Sequence, residues 1–215
     1  YSGHYSSGKP NLAINHALSL RKIYERVAIA DLDIVNPYYR TNDARDILRK
    51  NDIRLIVSEF ANTNVDAPAM PAEAYAVTDD RSSHAVIDVG GDDRGAYALG
   101  RYSDRIKEEN DYDMYLVINM YRPLTGDVQS TLEIMQEIQL AANIAFTGVI
   151  NNSNLGYETT PSDIYASVGF AREISRLSGL ELKYTGVLDT LYDEVKNEIE
   201  NAVPISLYVK QSWLK

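Results

Sequence analysis

The residue types best suited to chemistry stand near the start of the 215-residue chain, in the run Gly3-His4-Tyr5-Ser6-Ser7-Gly8-Lys9. Glycines at both ends of such a run permit a backbone path in which successive N–H groups turn inward and contact phosphate oxygens. Lys9 supplies a point charge, and a helix that opens at Pro10 would direct the positive end of its dipole at the same phosphates. The G-x-x-x-x-G-K spacing therefore predicts a phosphate-binding loop. The alternative is a glycine-rich turn that precedes a helix.

The residue after the lysine departs from the usual pattern. A serine or threonine normally stands there and gives its hydroxyl to Mg²⁺, whereas Pro10 has neither a hydroxyl nor a backbone N–H. Proline suits the first turn of a helix, so the loop can still form. We expect Pro10 and Asn11 to line a nucleotide site together with residues 3–9, and we expect the nucleotide to bind weakly or with little metal.

Carboxylates follow two apolar runs further along the chain. Asp31 and Asp33 follow the first run, and Asp88 follows the second and precedes Gly90 and Gly91. Ligands of an open parallel sheet bind beyond the carboxyl ends of its strands, where an aspartate can hold Mg²⁺ through water or orient an attacking water. Strand-end or capping carboxylates and a simple glycine turn are the alternatives.

Short apolar runs alternate with amphipathic stretches of helical length along most of the chain. We expect strands at residues 27–30, 53–57, 85–89, 114–119, 146–151, 182–187 and 205–209. We expect helices near residues 11–24, 43–50, 95–109, 127–142, 161–177 and 190–200. Strands separated by helices predict an α/β fold with a mostly parallel central sheet and helices on both faces, in one domain over residues 1–215. A phosphate loop also needs a strand before it, so we expect the first strand to begin before Tyr1.

The composition restricts the class of function. A net charge of −10 argues against a protein whose main task is to hold nucleic acid. The absence of cysteine excludes disulfides and thiolate metal sites from this sequence. Neither a secretory signal nor an apolar run long enough to span a bilayer is evident, so we expect a cytoplasmic protein without a membrane partner.

The order and spacing of these groups resemble the Walker A, switch I and Walker B/switch II series of the CobQ/CobB/MinD/ParA group of P-loop ATPases. Gly-His-Tyr-Ser-Ser-Gly-Lys, Asp-Leu-Asp-Ile-Val-Asn-Pro-Tyr-Tyr-Arg-Thr and Asp-Val-Gly-Gly-Asp-Asp are similar to a little-characterised ATP-binding branch of that group. The resemblance implies a single-domain P-loop NTPase that binds ATP or ADP with Mg²⁺. It implies catalytic roles for Lys9, Asp33 and Asp88, and metal binding by Asp31, Asp33 and Asp88.

The same resemblance implies residues for the base and for the γ-phosphate. An asparagine after a later strand reads adenine in this family, which points to Asn151 or Asn152. The position of Asp189 resembles that of the family's loop that closes over the base. The position of Gly90 and Gly91 resembles that of the segment that senses the γ-phosphate. Two features depart from the family.

The first departure is His4, which replaces the signature lysine of MinD/ParA proteins that reaches across a nucleotide-sandwich dimer. A neutral imidazole is not a fixed cation. The second is the lack of the interface cysteines that metal-delivery and nitrogenase-reductase-like relatives use.

We therefore expect ATP binding with slow or partner-stimulated hydrolysis that acts as a conformational switch. The expected partners are the nucleotide, a second copy of the chain and an unidentified protein. Two alternatives stay open. One is an ATP-dependent small-molecule kinase or ligase, with residues 62–66 and Arg122 near an acceptor pocket. The other is a nucleotide sensor without turnover, suggested by Pro10 and His4.

Overall fold

The computed structural model of the chain describes residues 1–32, 44–57, 80–91 and 93–209. The strands are β1 (Val27–Asp31), β2 (Ile53–Val57), β3 (His84–Asp88), β4 (Tyr115–Ile118), β5 (Gly148–Asn151), β6 (Leu182–Leu188) and β7 (Ala202–Ile205). The α-helices are α1 (Lys9–Arg21), α2 (Arg45–Lys50), α3 (Asp93–Gly100), α4 (Ser103–Glu109), α5 (Val128–Ala142), α6 (Pro161–Ser178) and α7 (Asp189–Val195). Short 3₁₀ turns follow β4 and β5, at Pro123–Thr125 and Gly156–Glu158.

Two parallel half-sheets, ordered β2-β1-β3 and β4-β5-β6-β7, meet at the first two residues of the chain. On one side, the Val89 N–H donates to the Tyr1 carbonyl at 2.9 Å. On the other side, the Ser2 N–H donates to the Tyr115 carbonyl at 3.0 Å, and the Val117 N–H donates to the Ser2 carbonyl at 2.8 Å. Tyr1 and Ser2 thus complete one continuous parallel sheet, and the loop 3–9 leaves from its centre.

Alternate residues of the central strands pack into different cores. In β1, Val27 and Ile29 join the cluster that contains α1, while Ala28 and Ala30 join the cluster that contains α3, α5 and α6. Successive side chains of a strand point to opposite faces of the sheet. A central strand with helices on both faces therefore has apolar residues at nearly every position. The prediction of a mostly parallel α/β sheet with helices on both faces is confirmed.

Helix α6 illustrates how local sequence sets an element. Its amino end carries a capping box, in which the Thr160 side chain accepts from the Asp163 N–H and the Asp163 carboxylate accepts from the Thr160 N–H. Pro161 occupies the first turn, and Gly179 ends the helix in the left-handed region at φ 71°. The predicted helix 161–177 agrees with this element to within one residue.

Two predicted elements differ most from the structure, and the predicted helix 190–200 is too long, since α7 ends at Val195. The stretch 95–109 is two helices, since α3 ends at Gly100 and α4 begins at Ser103. Glycine is a poor helix former, and Gly100 also approaches α5, because a Cβ there would lie 2.9 Å from the Ala141 oxygen. The predicted last strand at 205–209 is wrong in position, since β7 ends at Ile205. Pro204 lies in β7, which is the outermost strand of the described sheet, and its register partner is Val187 of β6. Such an edge tolerates the missing N–H of proline.

Candidate phosphate-binding site

The loop 3–9 has the backbone geometry of an anion cradle. Ser6 and Gly8 have positive φ angles of 65° and 89°, and Gly3 has a φ of 147°. A Cβ at Gly3 would collide with the Val117 carbonyl of β4, so this position admits only glycine without a shift of the sheet. Residues with left-handed backbone angles, next to residues with right-handed ones, turn successive N–H groups to one side. This arrangement binds phosphate oxygens.

The side chain of Lys9 folds back into this loop. It is 4% exposed, and its Nζ donates to the Gly3 carbonyl at 2.9 Å and to the His4 carbonyl at 3.0 Å. A buried ammonium is costly unless it is hydrogen-bonded, and the two carbonyls meet part of that need. The loop therefore holds a cation at its own centre, next to the N–H groups that would face an anion.

Helix α1 begins at Lys9, with Gly8 as its N-cap and no acidic residue in the first turn. The positive end of the helix dipole therefore acts on the loop without a nearby helix carboxylate to neutralise it. Pro10 occupies the first turn, as expected, where its missing N–H removes no helical hydrogen bond. Asn11 turns away from the loop, because its Oδ1 accepts from the Tyr208 and Val209 N–H groups at 2.8 and 2.9 Å.

Two of the three predicted carboxylates lie side by side. Asp31 and Asp88 are register partners at the carboxyl ends of β1 and β3, and they are 6% and 1% exposed. The Leu32 N–H donates to the Asp88 carbonyl at 2.8 Å, which continues the pairing past the strand ends. Asp33 lies outside the described residues, as do residues 62–66. Across the ranges that the structure describes, no three His, Cys, Asp or Glu side chains group as metal ligands.

Gly91 lies directly against the phosphate loop. A Cβ at Gly91 would be 2.5 Å from the Tyr5 nitrogen and 2.9 Å from the His4 carbonyl carbon. Gly90 is packed in turn by α3, since a Cβ at Gly95 would collide with the Gly90 backbone. The segment after β3 thus connects the loop to a helix through backbone contacts that any side chain would disturb.

His4 makes its hydrogen bond within the loop. Its Nδ1 lies 3.1 Å from the Tyr5 carbonyl, and because a carbonyl only accepts, Nδ1 carries the proton. Burial lowers the pKa of His4 below its ordinary value, and the charge of Lys9 lowers it further against the opposing effect of the Tyr5 carbonyl. Neutral His4 therefore presents Nε2 as an acceptor near pH 7.

A groove runs from the loop across the ends of β5, β6 and β7. Its walls come from the loop, from the segments after β4 and β5, and from the chain after β6 and β7. The lining residues are Ser6, Gly8, Asn11, Asn119, Arg122, Asn152, Asn154, Gly156, Tyr157, Gly186, Val187, Leu188, Ile205, Leu207 and Val209. The groove adjoins the loop at Ser6 and Gly8.

The two predicted base-reading asparagines have different positions. The Asn152 Nδ2 donates to the Ser7 carbonyl at 2.7 Å, and Asn152 lines the groove. Asn151 faces α6 instead, where its Nδ2 donates to the Ser167 hydroxyl at 2.8 Å. Asp189 begins α7, and its carboxylate accepts from the Ser206 hydroxyl at 2.8 Å. The geometry places Asn152 at the groove and Asn151 away from it.

Arg122, which the kinase or ligase alternative puts near an acceptor pocket, lines the groove, and three further lining residues, Asn119, Asn154 and Tyr157, were not predicted from the sequence as site residues. The Arg122 Nε donates to the Ser6 carbonyl at 3.0 Å, which ties the segment after β4 to the loop. Asn119 and Asn154 hold the turns after β4 and β5, and Tyr157 is 64% exposed at the rim. The sequence feature that these residues share is their place just after a predicted strand, because the carboxyl ends of those strands face the loop.

The fold has known counterparts among solved structures. FtsY from Mycoplasma mycoides aligns with 86% of this chain at a TM-score of 0.57 and 18% identity, and FtsY from Thermotoga maritima aligns with 86% at 0.55 and 20%. The chain spans 57% and 59% of those two proteins. A nucleotide-binding protein from Archaeoglobus fulgidus, solved in complex with ADP, aligns over 86% of this chain and 78% of its own at 0.50 and 13%. No family model and no curated protein matches the sequence. At these identities the likeness defines the fold, which is that of P-loop NTPases.

Helices long and apolar enough to cross a membrane are not found in the part of the chain that the structure describes.

Proposed function

We propose that this protein binds ATP with Mg²⁺ in the loop 3–9 and the adjoining groove, and that slow or partner-stimulated hydrolysis makes it a conformational switch. The observation that carries the proposal is the placement of the Lys9 ammonium inside the loop, 2.9 and 3.0 Å from the Gly3 and His4 carbonyls. The helix dipole, the loop N–H groups and Lys9 all favour an anion at one point.

The roles of the surrounding residues follow from their positions. Asp31 and Asp88 would hold Mg²⁺, through water, at the two neighbouring strand ends. The bound metal would neutralise charge on the β- and γ-phosphates. Asp33 is proposed to orient the attacking water on the basis of the MinD/ParA resemblance. Gly91, which packs on the Tyr5 backbone, is placed to move when the γ-phosphate leaves.

Adenine is the proposed base, and a MinD/ParA-like cytoplasmic ATPase is the proposed branch. The Archaeoglobus fulgidus protein of similar fold was solved with ADP, which supports adenine. Asn152, which joins the loop to the groove, supports a base site after β5. A second copy of the chain or another protein would bind the nucleotide-dependent surface around Gly90 and Gly91.

A sensor without turnover is the second candidate. Pro10 provides no hydroxyl to the metal, and His4 is neutral near pH 7, so two charges or ligands that usually assist hydrolysis are missing from the loop. Binding would be retained in such a protein while hydrolysis stayed at the background rate.

Calorimetric titration of ATP with Mg²⁺ tests the proposal, with Lys9→Met as the site variant and Lys22→Met as the matched control on exposed surface. Loss of a charged hydrogen-bond donor predicts an affinity about 10- to 100-fold lower for Lys9→Met and an unchanged affinity for Lys22→Met. Equal ATP affinities in the two variants would contradict the proposal. Phosphate release under saturating ATP then separates the switch from the sensor.

A further inference from the structure

The chain after β7 is fastened to the phosphate-loop helix by two asparagines. The Asn15 Nδ2 donates to the Ser206 carbonyl at 2.8 Å, and the Asn15 Oδ1 accepts from the Ser206 N–H at 3.1 Å. One helical turn earlier, the Asn11 Oδ1 accepts from the N–H groups of Tyr208 and Val209. Residues 206–209, which we call the strap, thus run along α1 by main-chain hydrogen bonds to side chains.

The peptide of Leu207 is oriented by its neighbours. Ser206 and Tyr208 both direct backbone groups to the asparagines of α1. Successive residues of an extended chain direct their N–H and C=O groups to opposite sides, so those of Leu207 point away from α1. Leu207 also lines the groove, and within the described ranges its N–H and C=O make no hydrogen bond.

We propose that the Leu207 main chain reads the hydrogen-bonding edge of the nucleobase, with its N–H donating to an acceptor of the base and its C=O accepting from an adjacent N–H of the base. This inference rests on the proposed function, because the base is held in the groove by the same ligand whose phosphates occupy the loop. Adenine and guanine both present an adjacent donor and acceptor on this edge. Leu207 is half-buried, and backbone groups in such places normally have a hydrogen-bond partner, which a base in the groove would provide.

Asn11 and Asn15 act in this proposal as positioning residues. Asn11 stands two residues after Lys9 on the same helix, so one rigid element fixes both the phosphate cation and the strap. The distance between the phosphate site and the base edge is then set before the nucleotide arrives, which lowers the entropy lost on binding. Ser206 adds a link to Asp189, so the strap also meets the segment after β6.

The test compares Leu207→Pro with Leu207→Ala. Proline removes the N–H and keeps the carbonyl, whereas alanine keeps both groups and shortens the side chain. Calorimetry with ATP, GTP and inorganic tripolyphosphate measures the contribution of the base in each variant. Loss of one hydrogen bond predicts that Leu207→Pro lowers the affinity for the preferred nucleotide roughly three- to tenfold relative to Leu207→Ala. Tripolyphosphate affinity stays equal in the two variants, and the stronger wild-type nucleotide identifies the base.

Asn15→Ala provides the second variant, because it releases Ser206 while leaving the Leu207 peptide intact. It should lower nucleotide affinity and ATP-over-GTP discrimination together, without changing tripolyphosphate affinity. A purely structural role for Asn15 would lower the thermal stability and leave the discrimination unchanged.

The outcomes separate the two proposals. If tripolyphosphate does not bind the wild-type protein, the proposed phosphate site is wrong. If tripolyphosphate binds, and both Leu207→Pro and Asn15→Ala leave nucleotide affinity and discrimination unchanged, the strap has no part in base recognition and this inference is overturned.

Discussion

The Asn152 side chain joins the carboxyl end of β5 to the phosphate loop, with its Nδ2 2.7 Å from the Ser7 carbonyl. The contact leaves no room beside the loop, because a Cβ at Gly8 would collide with the same amide nitrogen. Asn151, one residue earlier, points to α6 on the other side of the sheet. Neighbouring asparagines of one strand end thus serve the site and the core separately.

Replacement of each asparagine by alanine should separate these roles. Asn152→Ala leaves the Ser7 carbonyl without its donor, which costs about 1–3 kcal/mol of stability and loosens the loop. Asn151→Ala removes a buried hydrogen bond to Ser167 at a similar cost. We expect both variants to unfold at lower urea concentration, but only Asn152→Ala to bind ATP about tenfold more weakly by calorimetry. An equal loss of affinity in both variants would contradict the assignment.

A side chain at Gly91 should disturb the loop through the Tyr5 backbone. Gly91→Ala places a Cβ 2.5 Å from the Tyr5 nitrogen, so one of the two segments must shift. We expect Gly91→Ala to bind ATP more weakly in calorimetry and to release phosphate more slowly in a hydrolysis assay. Gly169→Ala is the matched control, because a Cβ at Gly169 in α6 meets no atom within 4 Å. Alanine in the helix should stabilise the control by about 0.5–1 kcal/mol and leave the affinity unchanged.

Restoring a hydroxyl after Lys9 should strengthen binding that depends on the metal. Pro10→Thr provides the oxygen that Mg²⁺ ordinarily takes at this position of the loop. We expect the ATP affinity in the presence of Mg²⁺ to rise about tenfold, and the affinity in EDTA to stay near that of the parent. Pro10→Ala is the control, since it restores the N–H without the hydroxyl. If the alanine variant gains as much as the threonine variant, the hydroxyl is not what the loop lacks.

Nucleotide affinity should rise as the pH falls through the pKa of His4. Burial lowers this pKa below 6.5, so the imidazole is neutral near pH 7 and becomes a cation beside the phosphates only in more acidic solution. Calorimetry between pH 5 and 8 should show this increase in the parent and not in His4→Gln. The protonation of ATP itself is common to both proteins, so their difference isolates His4. His4→Lys should bind more tightly at pH 7.5, and identical pH profiles in the parent and His4→Gln would exclude the titration of His4.

Patterns within short stretches of sequence predicted the parts of the fold that depend on neighbouring residues. The run 53–57 is strand β2 without any change of limits, because a short, mostly apolar run with β-branched residues predicts a strand. The loop 3–9 and the placement of Asp31 beside Asp88 also follow from residue order, since parallel strands bring their carboxyl ends to one edge.

Contacts between distant segments could not be predicted in the same way. The break between α3 and α4 follows Gly100, whose close approach to α5 is a long-range contact that the periodicity of 95–109 does not contain. The mostly apolar run 205–209 indicates a strand, but after Ile205 the backbone bonds to asparagine side chains of α1. Pairing with a residue more than 190 positions away leaves no local signal.

The central position of Tyr1 and Ser2 also has a consequence for the order of folding. These residues hydrogen-bond to strands that follow them by 86 residues or more, so the middle of the sheet closes through long-range contacts. Each half-sheet can form from nearer segments, whereas joining them requires Tyr1 and Ser2 to pair with both. The phosphate loop therefore acquires its shape only when the two halves of the sheet have met.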